Sequence, residues 1–271
     1  PEKTKDLEYF HPTSVMETGY DILFFWVARM ILMTTYATGE IPFEKVYLHG
    51  LVRDKNGEKM SKSKPETCID PLEMIDKYGT DALRLSMVIG GSAGNDIRLY
   101  EEKIAGYRNF INKIWNSSRF VLMNLNGEEK SEEKEFSIAD KWIISKLNKL
   151  IKESTSQIEK FNFSEAGTLI YDFFWSDFCD WYLEISKGEL KNPKALTFVL
   201  ENILKLLHPF TPFITEVIWE NLNKKTLLIN EAWPKIDKKN DFAKEEAEMQ
   251  RVIDAISEIR KTRAEYKVDA G

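Results

Sequence analysis

Cysteine is nearly absent from this 271-residue chain: Cys68 and Cys179 are the two present, far apart and in no C-x-x-C arrangement. That spacing argues against a cysteine-based zinc site or a redox pair and fits two free thiols in a reducing compartment. Histidine is almost as scarce, with His11, His49 and His208 scattered as packing or surface residues, and no protein-bound metal is expected. Long apolar runs are also missing. The best candidate, Ile22–Met33, is bracketed by Asp21 and interrupted by Arg29, too short and too polar to span a bilayer. No signal peptide is visible at Pro1, so the expected location is the cytoplasm. Nor is there an excess of positive charge: 38 Lys+Arg against 44 Asp+Glu leave a net charge of −6. This argues against a generally basic nucleic-acid coat but permits a local cationic track. No internal repeat of fixed period is found.

What is present divides into an α/β part followed by an all-α part. Length alone allows one or two compact units with sizeable cores. A turn-rich start with a short strand near Thr13–Met16 gives way to an apolar segment, Tyr20 to about Ala37, without internal Gly or Pro. That pattern predicts a helix buried on most of its circumference. Gly39 and Pro42 end it, and Val46–His49 reads as a buried strand. Strand, helix and strand at this spacing make a parallel crossover, and open parallel sheets bind ligands at the carboxyl ends of their strands. Asp70-Pro71 is a strong helix start. A second helix follows Gly79, a glycine-rich loop spans Gly90–Gly94, Ile97–Leu99 is a short strand, and a long helix runs from about Tyr100 to Leu125.

Residues 126–137 are charged and without apolar period, which marks a domain boundary. Helices are expected beyond it near 138–160, 163–187, 193–207, 210–223 and 243–266, forming a bundle. Its aromatic run of Phe173, Phe174, Trp175, Phe178, Trp181 and Tyr182 is expected to be packing rather than a base-stacking surface.

Directly after the crossover unit lies Lys59-Met60-Ser61-Lys62-Ser63-Lys64. Three ammonium groups and two hydroxyls in six residues can neutralise and hydrogen-bond a polyphosphate, and Gly57 is a hinge just upstream. The same composition also describes an ordinary solvated loop.

Lys59-Met60-Ser61-Lys62-Ser63 resembles the second signature of class I aminoacyl-tRNA synthetases. Pro12–Val15, Thr18–Met30, Val46–Asp54, Ile69–Leu72, Gly94–Arg98, Gly106–Phe110 and Asn112–Asn116 are similar to stretches of the valyl-tRNA synthetases. Leu207-His208-Pro209-Phe210-Thr211-Pro212-Phe213-Ile214 resembles the anticodon-binding bundles of the Val, Ile and Leu enzymes. The family's first signature, His-x-Gly-His, is absent, as is a separate editing domain. Pro65-Glu66-Thr67-Cys68, with one apparent extra residue, stands where the family has Gly-Asn. Together with Pro1 and the ending at Gly271, this makes the chain an expected excised part of a longer protein.

The resemblance implies the C-terminal part of a Rossmann-type catalytic domain at 1–64, a stem-contact connector and long helix at 65–130, and an anticodon-binding bundle at 131–271. It implies activation of valine by ATP, with Mg2+ accompanying the ATP, transfer to tRNA(Val), and a monomer. Lys62 and, second to it, Lys59 are the implied catalytic groups. Lys59, Ser61, Lys62, Ser63, Gly19, Asp21, His49 and Gly50 are the implied ATP site, and Met60 a structural plug. Ile22 and Trp26 are the implied amino-acid pocket, Ile22 standing where isoleucine enzymes have Gln. Read by themselves, Asp21 serves equally as a helix cap and Trp26 as core. Two cationic groups are proposed to meet tRNA: Arg108, Lys113 and Arg119 on the long helix, and Arg251, Arg260, Lys261 and Arg263 near the end. The chain alone is expected not to form valyl-adenylate. The alternatives are a stand-alone, non-catalytic tRNA-binding module and a synthetase for isoleucine or leucine.

Overall fold

The computed structural model describes residues 2–60, 68–125, 135–188, 192–222 and 224–268. Two units emerge, one comprising Pro1–Tyr107 with Gln157–Ser164, the other Arg108–Ser156 with Glu165–Gly271.

In the first unit a short helix α1, Lys5–Phe10, is capped by Thr4, whose hydroxyl accepts from the Leu7 amide at 3.1 Å. Strands β1, Thr13–Gly19, and β2, Phe43–His49, pair in parallel, with Thr13 opposite Phe43 and Gly19 opposite His49. The crossover between them is not one regular helix. It begins with a 3-10 turn, Tyr20–Ile22, widens to a π-turn at Leu23–Val27, and settles into helix α2, Ala28–Thr38. Gly39 closes it at φ 79°, the left-handed conformation that glycine adopts without a Cβ penalty.

The expected burial of this helix is corrected by the structure. Val27 is buried, but Phe24 is 75% and Tyr36 91% exposed, and no residue of α2 is buried. Strand β2 likewise is half-buried to exposed from Glu44 to His49. Apolar periodicity records which face of a helix is suited to burial; no layer among the described residues lies over that face of the crossover.

Strand β3, Val52–Arg53, pairs in parallel with β4, Ile97–Arg98. Between them lie α3, Pro71–Tyr78, and α4, Thr80–Val88. Asp70 caps α3 as its sequence predicts, accepting from the Leu72 amide at 2.9 Å. Helix α5, Glu101–Leu125, follows.

The second unit is helical: α6 Ile138–Glu159, α7 Phe163–Asp172, a π-helical stretch Phe173–Leu183, α8 Pro193–Leu207, α9 Pro212–Asn221 and α10 Ala243–Glu265. Ser137 and Asp140 cap α6 reciprocally: Ser137 Oγ accepts from the Asp140 amide at 3.1 Å and Asp140 Oδ2 from the Ser137 amide at 2.8 Å. Most of the aromatic run is core, with Trp175 and Trp181 half-buried. Phe174, Phe178 and Tyr182 are buried, and Phe174 meets Phe110 edge-on at 5.6 Å. Helix α8 buries Leu196, Val199, Leu200, Ile203, Leu204 and Leu207 at helical spacing. No described helix is long and apolar enough to cross a membrane.

Candidate nucleotide site

The parallel pairing of β1 and β2 delivers Gly19 and His49 side by side at the carboxyl ends of their strands. A Cβ on Gly19 would stand 2.6 Å from Asp21 Oδ1 and 3.4 Å from His49 Cε1. Gly19, Asp21 and His49 therefore meet at the carboxyl edge of the strand pair, where glycine keeps the backbone open to approach. His49 is steered from both ring nitrogens: Nδ1 lies 2.7 Å from the Gly50 carbonyl oxygen, and Nε2 3.4 Å from Glu17 Oε1. A hydrogen bond to the carbonyl requires Nδ1 to carry a proton, which leaves Nε2 as the second donor or acceptor. The Asp21 carboxylate is exposed and follows β1 directly, where it can accept two hydroxyl protons from a sugar.

Gly50 is set by contact. A Cβ there would fall 1.7 Å from the Asn95 carbonyl oxygen and 2.6 Å from the Asp96 amide nitrogen. The segment before β4 is drawn in by backbone bonds from Gly94 to Leu48 at 2.8 Å, and from Ile97 to Leu51 at 2.9 Å.

Beyond β3 the chain reverses around Asp54. Its Oδ1 accepts from the amides of Asn56 at 2.9 Å and Glu58 at 2.8 Å, while its own amide donates to Glu58 O at 3.0 Å. Gly57 takes φ 86° to complete the turn. The hairpin pairs Arg53 with Lys59 in an antiparallel bridge. Lys59 is thus held, exposed, at the hairpin's exit. Ser61, Lys62, Ser63, Lys64 and Pro65 lie outside the described residues.

Ile22 and Trp26 are on the 3-10 and π-turns, about 40% exposed each. Ala28 donates its amide to the Leu23 carbonyl, an i+5 bond that widens the turn carrying Trp26. Of the proposed cationic groups, Arg119, Arg251, Arg260 and Lys261 are exposed, as are Arg108 and Arg263. Lys113 is engaged: its Nζ donates to Asp180 at 2.7 Å and sits 4.0 Å over the Trp175 ring. Arg260 lies 5.2 Å over the Trp181 ring.

Two residues escaped sequence reasoning. Asp54 had a readable signal, since Asp54-Lys55-Asn56-Gly57 is a side-chain-capped turn. Asp96 had none. It accepts from Tyr20, Leu51 and Arg53, which lie 76, 45 and 43 positions away. Those bonds, the Leu51 amide foremost, hold its carboxyl below the usual carboxylate range, and Arg53 is raised in return.

Residues 1–100 match the family of tRNA synthetases class I (I, L, M and V), and residues 140–271 the anticodon-binding domain of tRNA ligase. The chain is similar to the valine–tRNA ligase of Clostridium tetani (strain Massachusetts / E88), 50% identical over 281 residues, covering 99% of this chain and 32% of that protein. It is 45% identical over 283 residues to the valine–tRNA ligase of Dehalococcoides mccartyi (strain CBDB1), again 99% of this chain and 32% of that protein. The chain thus spans about a third of the length of the curated relatives it matches. Among solved structures, the fold resembles a LeuRS–tRNA–LeuAMS ternary complex of Agrobacterium radiobacter K84, with TM-score 0.70 and 21% identity, covering 85% of this chain and 29% of that one. It also resembles Mycobacterium tuberculosis methionyl-tRNA synthetase bound by methionyl-adenylate, with TM-score 0.68 and 19% identity, covering 82% of this chain and 46% of that one.

Proposed function

We propose that this chain, which matches the class I tRNA synthetases over residues 1–100 and the anticodon-binding domain of tRNA ligase over residues 140–271, serves in a valine–tRNA ligase, in which the full-length protein activates valine with ATP and transfers it to tRNA(Val). The observation that carries this reading is the 50% identity to a valine–tRNA ligase across 99% of the chain.

In the first step a valine carboxylate oxygen attacks the α-phosphorus of ATP, and pyrophosphate leaves with the bond electrons, giving valyl-adenylate. Little covalent work falls to the protein beyond alignment and neutralisation of developing charge. Asp21 accepts the ribose hydroxyl protons. Gly19 and Gly50 let the backbone approach the nucleoside, and His49 presents Nε2 from the neighbouring strand. Lys59, Ser61, Lys62 and Ser63 are assigned to the phosphates, with Lys62 foremost, and Mg2+ would accompany the ATP and neutralise part of its charge. Ile22 and Trp26 wall a small branched aliphatic pocket. The second unit binds tRNA through its anticodon-binding fold and through the cations of α5 and α10. The protein acts as a cytoplasmic monomer.

The deciding measurement is valine-dependent exchange of pyrophosphate into ATP by the full-length protein, compared with isoleucine and leucine. Preference for valine supports the reading and preference for isoleucine overturns it. The 271 residues alone, which carry no His-x-Gly-His signature, are expected to give no exchange.

A further inference from the structure

The Asp96 carboxylate gathers donors from three separate stretches of the first unit. Its Oδ1 accepts from the Leu51 amide at 2.8 Å and from the Tyr20 hydroxyl at 3.0 Å, and its Oδ2 accepts from Arg53 Nε. Tyr20 immediately precedes Asp21, at the carboxyl end of β1. Arg53 is the residue bridged to Lys59 across the hairpin. One side chain therefore joins the two halves of the proposed nucleotide site: the Gly19–Asp21 turn by one oxygen, the base of the lysine hairpin by the other.

We infer that Asp96 is a positioning residue for adenylate formation, setting the separation between the Gly19–Asp21 turn and the hairpin that presents Lys59. The inference rests on the ATP-dependent reading above and adds a residue to it. Asp96 does not touch substrate. It acts through Tyr20 and Arg53, and Gly50, in van der Waals reach of the Asn95 and Asp96 backbone, lets the carboxylate come close enough to do so. The side chains of Arg53 and Asp96 are 31% and 24% exposed, so water competes with these bonds only in part. Two acceptor oxygens are needed. An asparagine has one, and in either amide orientation it turns an NH2 group toward a donor, so that one arm is lost.

The test uses the full-length protein with Asp96→Asn, Tyr20→Phe and the pair together. Two steps are followed: valine-dependent pyrophosphate exchange, and transfer to tRNA from preformed valyl-adenylate, in which the phosphates to be aligned have already left. A misplacement on the order of 1 Å costs about 100-fold in an aligned reaction. Asp96→Asn is therefore expected to lower kcat for exchange by about 10- to 100-fold, with KM for valine within about twofold and transfer within about threefold. Tyr20→Phe is expected to give a smaller loss of the same kind, and none when added to Asp96→Asn, because both remove one linkage. Equal losses in both steps, unchanged exchange, or losses that multiply in the pair would overturn the inference. If Asp96→Asn does not fold, Tyr20→Phe and Arg53→Lys are judged by the same split between the two steps. Absence of valine-dependent exchange in the unaltered protein is a separate result, which overturns the activity reading and this inference with it.

Discussion

Gly50 and Asn95 are packed so closely that a Cβ on Gly50 would stand 1.7 Å from the Asn95 carbonyl oxygen. The obstacle is backbone, held by the Gly94–Leu48 and Ile97–Leu51 bonds on either side, so it cannot swing away as a side-chain tip would. Gly50→Ala is therefore expected to destabilise the first unit by about 1–3 kcal/mol or to shift the segment before β4. A lowered unfolding midpoint with altered amide exchange at Leu51 and Ile97 is the expected signature. A variant of unchanged midpoint and exchange would show that the close approach is not maintained in solution.

Lys62 and Lys59 make a second prediction. By analogy with lost donors to developing negative charge, Lys62→Ala in the full-length protein should lower valine-dependent exchange by about 10²–10³. Lys59→Ala should cost less, its role being second to that of Lys62, and the Arg53–Lys59 backbone bridge should leave the hairpin in place. Equal KM values for valine in both variants would place the loss in the transition state.

Much of the architecture was legible because its determinants are local. Asp70-Pro71 and Gly39 mark helix ends by cap chemistry, and α3 and α2 begin and stop there. The long helix expected from Tyr100 to Leu125 is found at Glu101–Leu125. The parallel crossover followed from element order, while Gly19, Asp21 and His49, found at its carboxyl edge, were implied by the family resemblance alone. What local pattern could not carry is of two kinds. The π-turns at Leu23–Val27 and Phe173–Leu183 keep helical apolar spacing while changing the hydrogen-bond step. Asp96 takes its role from partners more than forty positions away. The exposure of α2 belongs with these, since a sequence shows which face is apolar and not what covers it.

Tyr182 donates to Asp140 Oδ1 at 2.5 Å, with Tyr182 1% and Asp140 2% exposed. Burial, then the nearby Asp140 charge, raises the Tyr182 phenol far above its ordinary range. Tyr182→Phe leaves a buried carboxylate oxygen short of a partner and should cost about 1–3 kcal/mol, read as a lower denaturant midpoint with an unchanged slope. Ser137 still holds Oδ2, so the cap of α6 should survive.

The two cysteines should separate by reactivity. Cys68 is exposed, whereas Cys179 is buried in the second unit beside Ser117. Desolvation pushes the Cys179 thiol up to about 11. One thiol per chain is expected to react with a disulfide reagent under native conditions at pH 8, and two after denaturation. Because its folded pKa lies above the unfolded one, Cys179 favours the fold below the ordinary thiol range. That contribution is lost as pH rises toward 11, and Cys179→Ser should flatten this part of the stability profile.

The cationic residues proposed to meet tRNA should not be equivalent. Lys113 is already neutralised by Asp180 and lies on the Trp175 face, so binding a phosphate through it would first break an existing pair. Arg119 and Lys261 are exposed on α5 and α10. Each cation that replaces a condensed counterion contributes about 0.7–0.9 to the slope of log affinity against log salt. Arg119→Gln with Lys261→Gln should then reduce that slope by about 1.4 to 1.8, while Lys113→Gln leaves it nearly unchanged and instead lowers thermal stability by releasing Asp180. Titrations of tRNA(Val) into the full-length variants at several salt concentrations measure both effects. A larger slope change for Lys113→Gln than for the exposed pair would mean that the Lys113–Asp180 pair opens on binding, and would move the contact surface to the Trp175 side of α5.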